Sequence, residues 1–230
     1  MSERPDEGTW QPSGELRSTT SKEEENSSAQ ELFNSIRSAI VAAIESALLS
    51  YENIDPNTGR LVSLSLREDA SIERSESRIH HNSETTLLQI SVMPTHVQDC
   101  HQEWFIKELF SMIQAGFLLQ NEWNIIVPRT GTTFEGFRPP YALSHKEPDS
   151  CILTIDQGMP TIVFESGWTE SHPRLRSDTN LWTIGGASTV QLVFTIQWSK
   201  LSGGRVEGVM EVYNRSACGH CKPARPSGAV

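Results

Sequence analysis

Between residues 28 and 49 apolar side chains return at every fourth position, at Leu32, Ile36, Ile40, Ile44 and Leu48, with Phe33, Ala43 and Ala47 beside them. That period predicts a helix with one apolar face packed on a core, and Ser28-Ala29-Gln30-Glu31 has capping-box spacing at its start. The helix should end before Asn53, because Asp55-Pro56-Asn57-Thr58-Gly59 reads as a turn. Leu61, Leu64 and Leu66 alternate imperfectly with serines, and 67–84 reads as a charged, serine-rich link. Thr86 to Met93 predicts a strand stopped by Pro94. Thr95 can then cap a second helix with Gln98 at the third position, its buried face made of Val97, Cys100, Trp104, Leu109, Ile113 and Phe117 and its end marked by Gly116. Beyond it the pattern predicts a short strand at Trp123–Val127 and a Gly-, Pro- and aromatic-rich loop from Arg129 to Ser144. Strands at 149–155 and 161–166, a helix near 172–183, and strands at 189–198 and 205–213 follow, the last two joined by Ser202-Gly203-Gly204.

Helices that interrupt a run of strands predict an α/β fold, a central mixed sheet flanked by helices. Residues 1–27, rich in Ser, Glu, Pro and Gly, offer almost no large apolar side chains to offset the entropy of ordering and predict a disordered arm. A single domain then spans 28–213, with the amphipathic helix at 28–52 and the core at 86–213, and 214–230 reads as a flexible tail. No stretch of about 18 uncharged apolar residues occurs, so no membrane span is expected. Met1-Ser2-Glu3-Arg4 and the residues after it lack the basic and then apolar run of a secretory signal. An intracellular protein, cytoplasmic or nuclear, is the expectation, with Cys100, Cys151, Cys218 and Cys221 kept reduced.

The formal net charge of −10 argues against indiscriminate attraction to nucleic acid. Residues 166–230 reverse the balance, with 7 Lys and Arg against 4 Asp and Glu, so any DNA-facing surface should come from this basic C-terminal third. A protein partner or a dimer is the other kind of association that the amphipathic 28–52 helix allows.

Two carboxylates carry the candidate chemistry. Asp149 heads one apolar strand after Lys146-Glu147-Pro148, and Glu165 closes the next, Met159-Pro160-Thr161-Ile162-Val163-Phe164-Glu165. Acids brought together on neighbouring strands can hold Mg²⁺ or Mn²⁺, which prefer carboxylate oxygen and retain water that can be turned on a phosphodiester. Alternatively Asp149 is a turn residue after proline and Glu165 a solvated strand end.

The run Glu147-Pro148-Asp149, the strand closed by Glu165, and Ser171-His172-Pro173-Arg174-Leu175-Arg176-Ser177-Asp178 leading to Leu181-Trp182 and Gly185-Gly186 resemble the PD-(D/E)XK nuclease-like superfamily. Within it they are most similar to the putative restriction-endonuclease (Uma-type) group and its relatives in filamentous fungi. Met93-Pro94-Thr95-His96 is similar to that family's entry into its first helix. The resemblance covers 86–213 coarsely and 147–186 in detail. It implies a restriction-endonuclease-like core, a small mixed sheet with helices on both sides and the acids at its heart, and a Mg²⁺- or Mn²⁺-dependent nuclease with Asp149 and Glu165 as metal ligands. The family's lysine, two residues after the second acid, is replaced by Gly167. A glycine can neither orient a water nor stabilise charge on a phosphate. The resemblance offers Arg174 or Arg176 on the following helix as the substitute; each stays protonated and so could clamp phosphate but not accept a proton. Arg174 also has Asp178 four residues on, the spacing of a solvent-facing ion pair. The rival expectation is a catalytically inactive member of the fold that serves as a binding or interaction module.

Other constellations are thinner. Cys218-Gly219-His220-Cys221 has the letters of a thiol-exchange site, but it lacks the preceding strand and the helix such a site needs, and as a zinc site it lacks a fourth ligand. His80-His81 stands isolated, and His96 and His101 fall on different helix faces. Trp168, Trp182 and Trp198 could stack on bases, yet their apolar surroundings mark them as core residues, Trp182 above all.

Overall fold

Asp55 accepts hydrogen bonds from the backbone N–H groups of Asn57 at 3.1 Å and Thr58 at 3.0 Å, and Pro56 at the first helical position has no N–H to satisfy. A stretch with the letters of a turn is therefore a helix N-terminus. The computed structural model describes residues 29–92, 96–168, 172–186, 188–215 and 221–223, with 96–101 and 221–223 described for their backbone alone. The expectations for the 1–27 arm, the Thr95 cap, the Met93-Pro94-Thr95 entry and the side chains of Cys100, Cys218, His220 and Cys221 lie outside the described residues.

The chain is mixed α/β with two sheets rather than the single one expected. The first holds β1 (Ala47–Tyr51), β3 (Leu87–Val92) and β2 (Arg78–Asn82) in that order, both pairings antiparallel. Helices α1 (Ala29–Ala42), α2 (Pro56–Glu68) and α3 (Ala70–Glu73) pack with it around one apolar cluster that includes Leu32, Ile36, Val62, Leu66, Ile79 and Ile90. The N-terminal helix is shorter than its periodicity suggested. It stops at Ala42, Ile44 is 91 % exposed, and Leu48 lies on β1, where the pairing of Leu49 with Ile90 overrides the four-residue spacing. The imperfect alternation at 61–66 belongs to α2, where Val62 and Leu66 share the buried face.

The second sheet runs β4 (Ile126–Arg129), β5 (Ser150–Thr154), β6 (Ile162–Trp168), β7 (Leu192–Lys200), β8 (Val206–Arg215) and β9 (Cys221–Pro223). Neighbours are antiparallel except β6 and β7, which are parallel and joined by α6 (His172–Asn180) and a π-helical turn at Leu181–Gly185. The hairpin turn at Ser202–Gly204 is as expected, with Gly203 and Gly204 both at φ 74°. Strand β9 lies inside the stretch read as tail.

Helices cover both faces of this sheet. On one, Phe105 and Leu109 of α4 (His96–Gln114) meet Ile152 and Phe164, and Phe164 stacks on Phe194 with centroids 4.7 Å apart. Trp104 and Phe117, expected in that buried face, are 45 % and 76 % exposed: a one-residue step turns a side chain by about 100°, and Phe105 takes the inward position. Trp123 lies in the short helix α5 (Gln120–Trp123), so β4 begins later than its apolar letters suggest. On the other face Trp182, Leu181, Val163, Val193 and Phe137 form a separate cluster. Among the described residues no helix is long and apolar enough to cross a membrane.

Candidate functional site

Strands β5 and β6 place the two acids. Their register ends on Ser150 opposite Phe164, so Asp149 and Glu165 occupy the next position of the same antiparallel pairing. Both are buried, Asp149 at 9 % and Glu165 at 3 % exposure, so Glu165 is not the solvated strand end that the sequence allowed. The neighbouring strands expected for the pair are present.

Each carboxylate is occupied by protein donors. Asp149 Oδ1 receives Nη1 of Arg78 at 2.9 Å. Its Oδ2 accepts from the backbone N–H of Ser166 at 2.6 Å and from the Ser166 hydroxyl at 2.8 Å. Glu165 Oε1 accepts from the indole Nε1 of Trp182 at 2.7 Å, and Oε2 lies 3.4 Å from Nζ of Lys146. Lys146 is itself buried and makes its shorter pair with Asp178, at 2.8 Å. Glu147 completes the group, 3.3 Å from Nε of Arg78.

Four residues here escaped sequence reasoning as site residues. Lys146 stands in the same run as Asp149, but its distance from the motif's lysine position hid it; Phe134 holds it there through a two-way backbone bridge. Arg78 comes from β2, 71 residues away in sequence, and no local signal marks it. Asp178, expected as a solvent-facing partner of Arg174, is 7 % exposed and pairs with Lys146. Ser166 holds Asp149 from the residue next to Glu165. Trp182 is fully buried, as expected, and gains a polar role through its indole N–H.

Of the two arginines, Arg174 is half-buried and lines a cavity with Lys146, Asp178, Ser177, His80 and Gln89, whereas Arg176 is exposed and exerts its charge on Tyr213. Leu175 and Thr179 share the buried face of α6 with Trp182 beyond them. The cavity is about 10 Å³, room for roughly one water. His81, isolated in the sequence, is not isolated in the fold. It is wholly buried, bridges His145 through paired backbone hydrogen bonds, and has Nδ1 3.0 Å from the Leu143 carbonyl oxygen.

Burial raises the Glu165 pKa well above the ordinary carboxylate value; Lys146 opposes the shift, and the charges on Asp178 and Asp149 add to it. Burial likewise raises Glu147 against the pull of Arg78. The Lys146 ammonium is held charged by Asp178 and Glu165 in spite of its burial. Glu165 is thus inclined to hold a proton and accept from Trp182, while Lys146 keeps its charge beside it.

Compared with protein-family models, with curated proteins and with solved structures, the chain matches none of them. A divalent cation wants ionised carboxylate oxygens free to ligate and space for its waters. Here the oxygens of both acids already face protein donors, one acid is pushed towards its neutral form, and among the described residues no group of three or more His, Cys, Asp or Glu is arranged around a common point. The residues as they stand do not fit Mg²⁺ or Mn²⁺.

Proposed function

We propose that this chain is a nuclease-fold module of the PD-(D/E)XK kind, in which the acid, acid and lysine of the former catalytic centre serve as an internal ion-pair network. Its function is binding rather than phosphodiester hydrolysis. The mixed sheet with helices on both faces and the acids at its middle supports the restriction-endonuclease-like reading of the fold. The observation that carries the functional reading is the occupation of Asp149 and Glu165 by Arg78, Ser166, Trp182 and Lys146. Buried ionic groups satisfied in this way specify one arrangement of the elements that meet there.

Metal-dependent cleavage of DNA is the second reading, favoured by one observation. Lys146 brings to Glu165 the positive charge that Gly167 cannot. The basic residues of the C-terminal third, proposed as its DNA surface, are spread out: Arg174 faces the cavity, Arg215 is tied to the carbonyls of Val190 and Thr183, and Lys200 lies 5.0 Å over the Trp168 ring.

Calorimetric titration of the full chain with Mn²⁺ and Mg²⁺, together with a plasmid-nicking assay, separates the two. No saturable heat and no nicking is the expected result. Mn²⁺-dependent nicking that disappears in Asp149→Ala would overturn the binding-module reading in favour of the nuclease.

A further inference from the structure

Strand β8 is covered on its outer side only at its end. β9 pairs with Tyr213, Asn214 and Arg215, and among the described residues no strand pairs with the outer side of 206–212. Two bonds on the inner side fix which backbone groups point where: the Arg215 N–H donates to the Gln191 carbonyl at 3.0 Å, and the Leu201 N–H donates to the Arg205 carbonyl at 2.8 Å. Successive residues of a strand direct their N–H and C=O to opposite sides, so odd-numbered residues of β8 face β7. Val206, Gly208, Met210 and Val212 turn theirs outward. Val206 and Met210 are also 46 % and 38 % exposed, and such an edge is a template for one more strand.

The residues that follow β9 are a poor match for that edge. Pro223 stands opposite Tyr213, and the same register carried on brings Pro226 opposite Met210, whose outward C=O needs an N–H that proline lacks. A second copy of β8, running antiparallel, fits in one register. With Gly208 opposite its own mate, Val206 faces Met210 of the second copy, and these outward-turned pairs exchange hydrogen bonds. The intervening pairs, whose side chains approach more closely, then set Arg205 against Glu211 of the second copy on both sides of the axis. The other registers oppose like charges: centring on Glu207 or Glu211 sets that acid against itself, on Val209 sets Glu207 against Glu211, and on Met210 sets Arg205 against Arg215.

We propose that this chain forms a homodimer by antiparallel pairing of β8 with β8 of a second copy about a two-fold axis at Gly208, so that the two six-stranded sheets run on into one. The contact is isologous, the same residues serving on both sides. On its apolar face Val206 meets Met210 of the second copy. Ile196 and Trp198 of β7 lie alongside, opposite Met210 and Gly208, and the Trp198 ring is so close to Gly208 that a Cβ there would overlap it. Glu207 and Glu211, which repel most alignments of the edge, select the one in which Arg205 answers them. The pairing does not depend on the state of the acid pair at Asp149 and Glu165.

Sedimentation velocity of the full chain from about 1 to about 200 μM reads its mass against concentration. Wild type should pass from the mass of one chain to that of two, and Met210→Pro should stay at one. The Met210 N–H faces outward, so proline leaves the β7–β8 ladder intact and removes a donor from the edge. Glu211→Arg, which sets arginine against Arg205, should weaken the dimer about tenfold or more, and Arg205→Glu/Glu211→Arg should restore it. Thermal unfolding checks each fold, and the charge variants decide the matter by themselves if the proline variant does not fold. Wild type that remains a single chain at about 200 μM overturns the proposal. So does a dimer that persists in folded Met210→Pro, that Glu211→Arg tightens or leaves unchanged, or that the double reversal does not restore.

Discussion

Nζ of Lys146 lies 3.4 Å from the Glu165 carboxylate, so the charge missing at Gly167 reaches the acid from the segment just ahead of Asp149. The same ammonium holds Asp178 at 2.8 Å, with all three side chains nearly dry. Removing one member of a buried ionic group strands the others without water, at a cost of about 3–5 kcal/mol. Lys146→Met should therefore lower the melting temperature by on the order of 10 °C for a chain of this size. Lys146→Met/Asp178→Leu, which also removes the stranded carboxylate, should recover a large part of the loss. Circular-dichroism melts check this, and a single variant that melts within about 2 °C of wild type would mean that the network carries little energy.

Glu165 gives the network a pH dependence that sets in above pH 4.5. Its folded pKa is raised above the ordinary value of 4.5, so between those values the folded state keeps a proton that the unfolded chain has released. That contribution is complete below 4.5 and is lost as pH rises through the folded value, with a slope of up to about 1.4 kcal/mol per pH unit. Glu165→Gln cannot ionise and still offers an oxygen to the Trp182 indole. Urea unfolding from pH 5 to 9 should show a smaller fall in stability for Glu165→Gln than for wild type; parallel curves would mean that Glu165 is ionised throughout. A constant offset from placing an amide NH₂ beside Lys146 does not alter that slope.

The elements that surround the acids were legible because their boundaries are chemical. Pro148 and Pro160 stand before β5 and β6, and Leu175, Thr179 and Trp182 repeat at helical spacing after them. The N-terminal half was harder to read. Ile44 and Leu48 continue the period of α1, and only the pairing of Leu48 with Ser91 on β3 makes it a strand residue. Asp55-Pro56 did carry a helix-start signal, N-cap then proline, which the following Asn and Gly disguised as a turn. At the site, Asp149 and Glu165 could be named from their strands, whereas what their carboxylates touch depends on Arg78, and contacts at such separation leave no pattern in a single sequence.

Gly59 lies against the face of His81 so closely that a Cβ added there would overlap the imidazole ring. Alanine is the better helix former, which by itself favours Gly59→Ala by up to about 1 kcal/mol. Overpacking of a buried ring costs about 1–3 kcal/mol, so the net effect should be destabilising. In a His81→Ala background the clash is gone, and the same substitution should become neutral or stabilising. Chemical denaturation of the four proteins measures the coupling; an unchanged cost in the double variant would place the strain elsewhere.

His81 and His145 give the joint between the sheets an acid limit. Their rings are 5.7 Å apart, both are buried, and Nε2 of each has no hydrogen-bond partner among the described residues. Burial is the first cause that lowers both pKa values from 6.5, His145 to about 3, with the mutual charge and those of Arg67 and Arg60 adding to the shift on His145. Because the folded values lie below the unfolded one, the unfolded chain takes up protons first as pH falls. The stability held above 6.5 is lost progressively towards pH 3, each histidine contributing up to about 1.4 kcal/mol per pH unit. His145→Phe fills the site with a ring that does not titrate and should flatten the decline in unfolding free energy between pH 6.5 and 4. If wild type and His145→Phe decline in parallel over that range, the imidazole is not a source of acid sensitivity, and the carboxylate network must supply it.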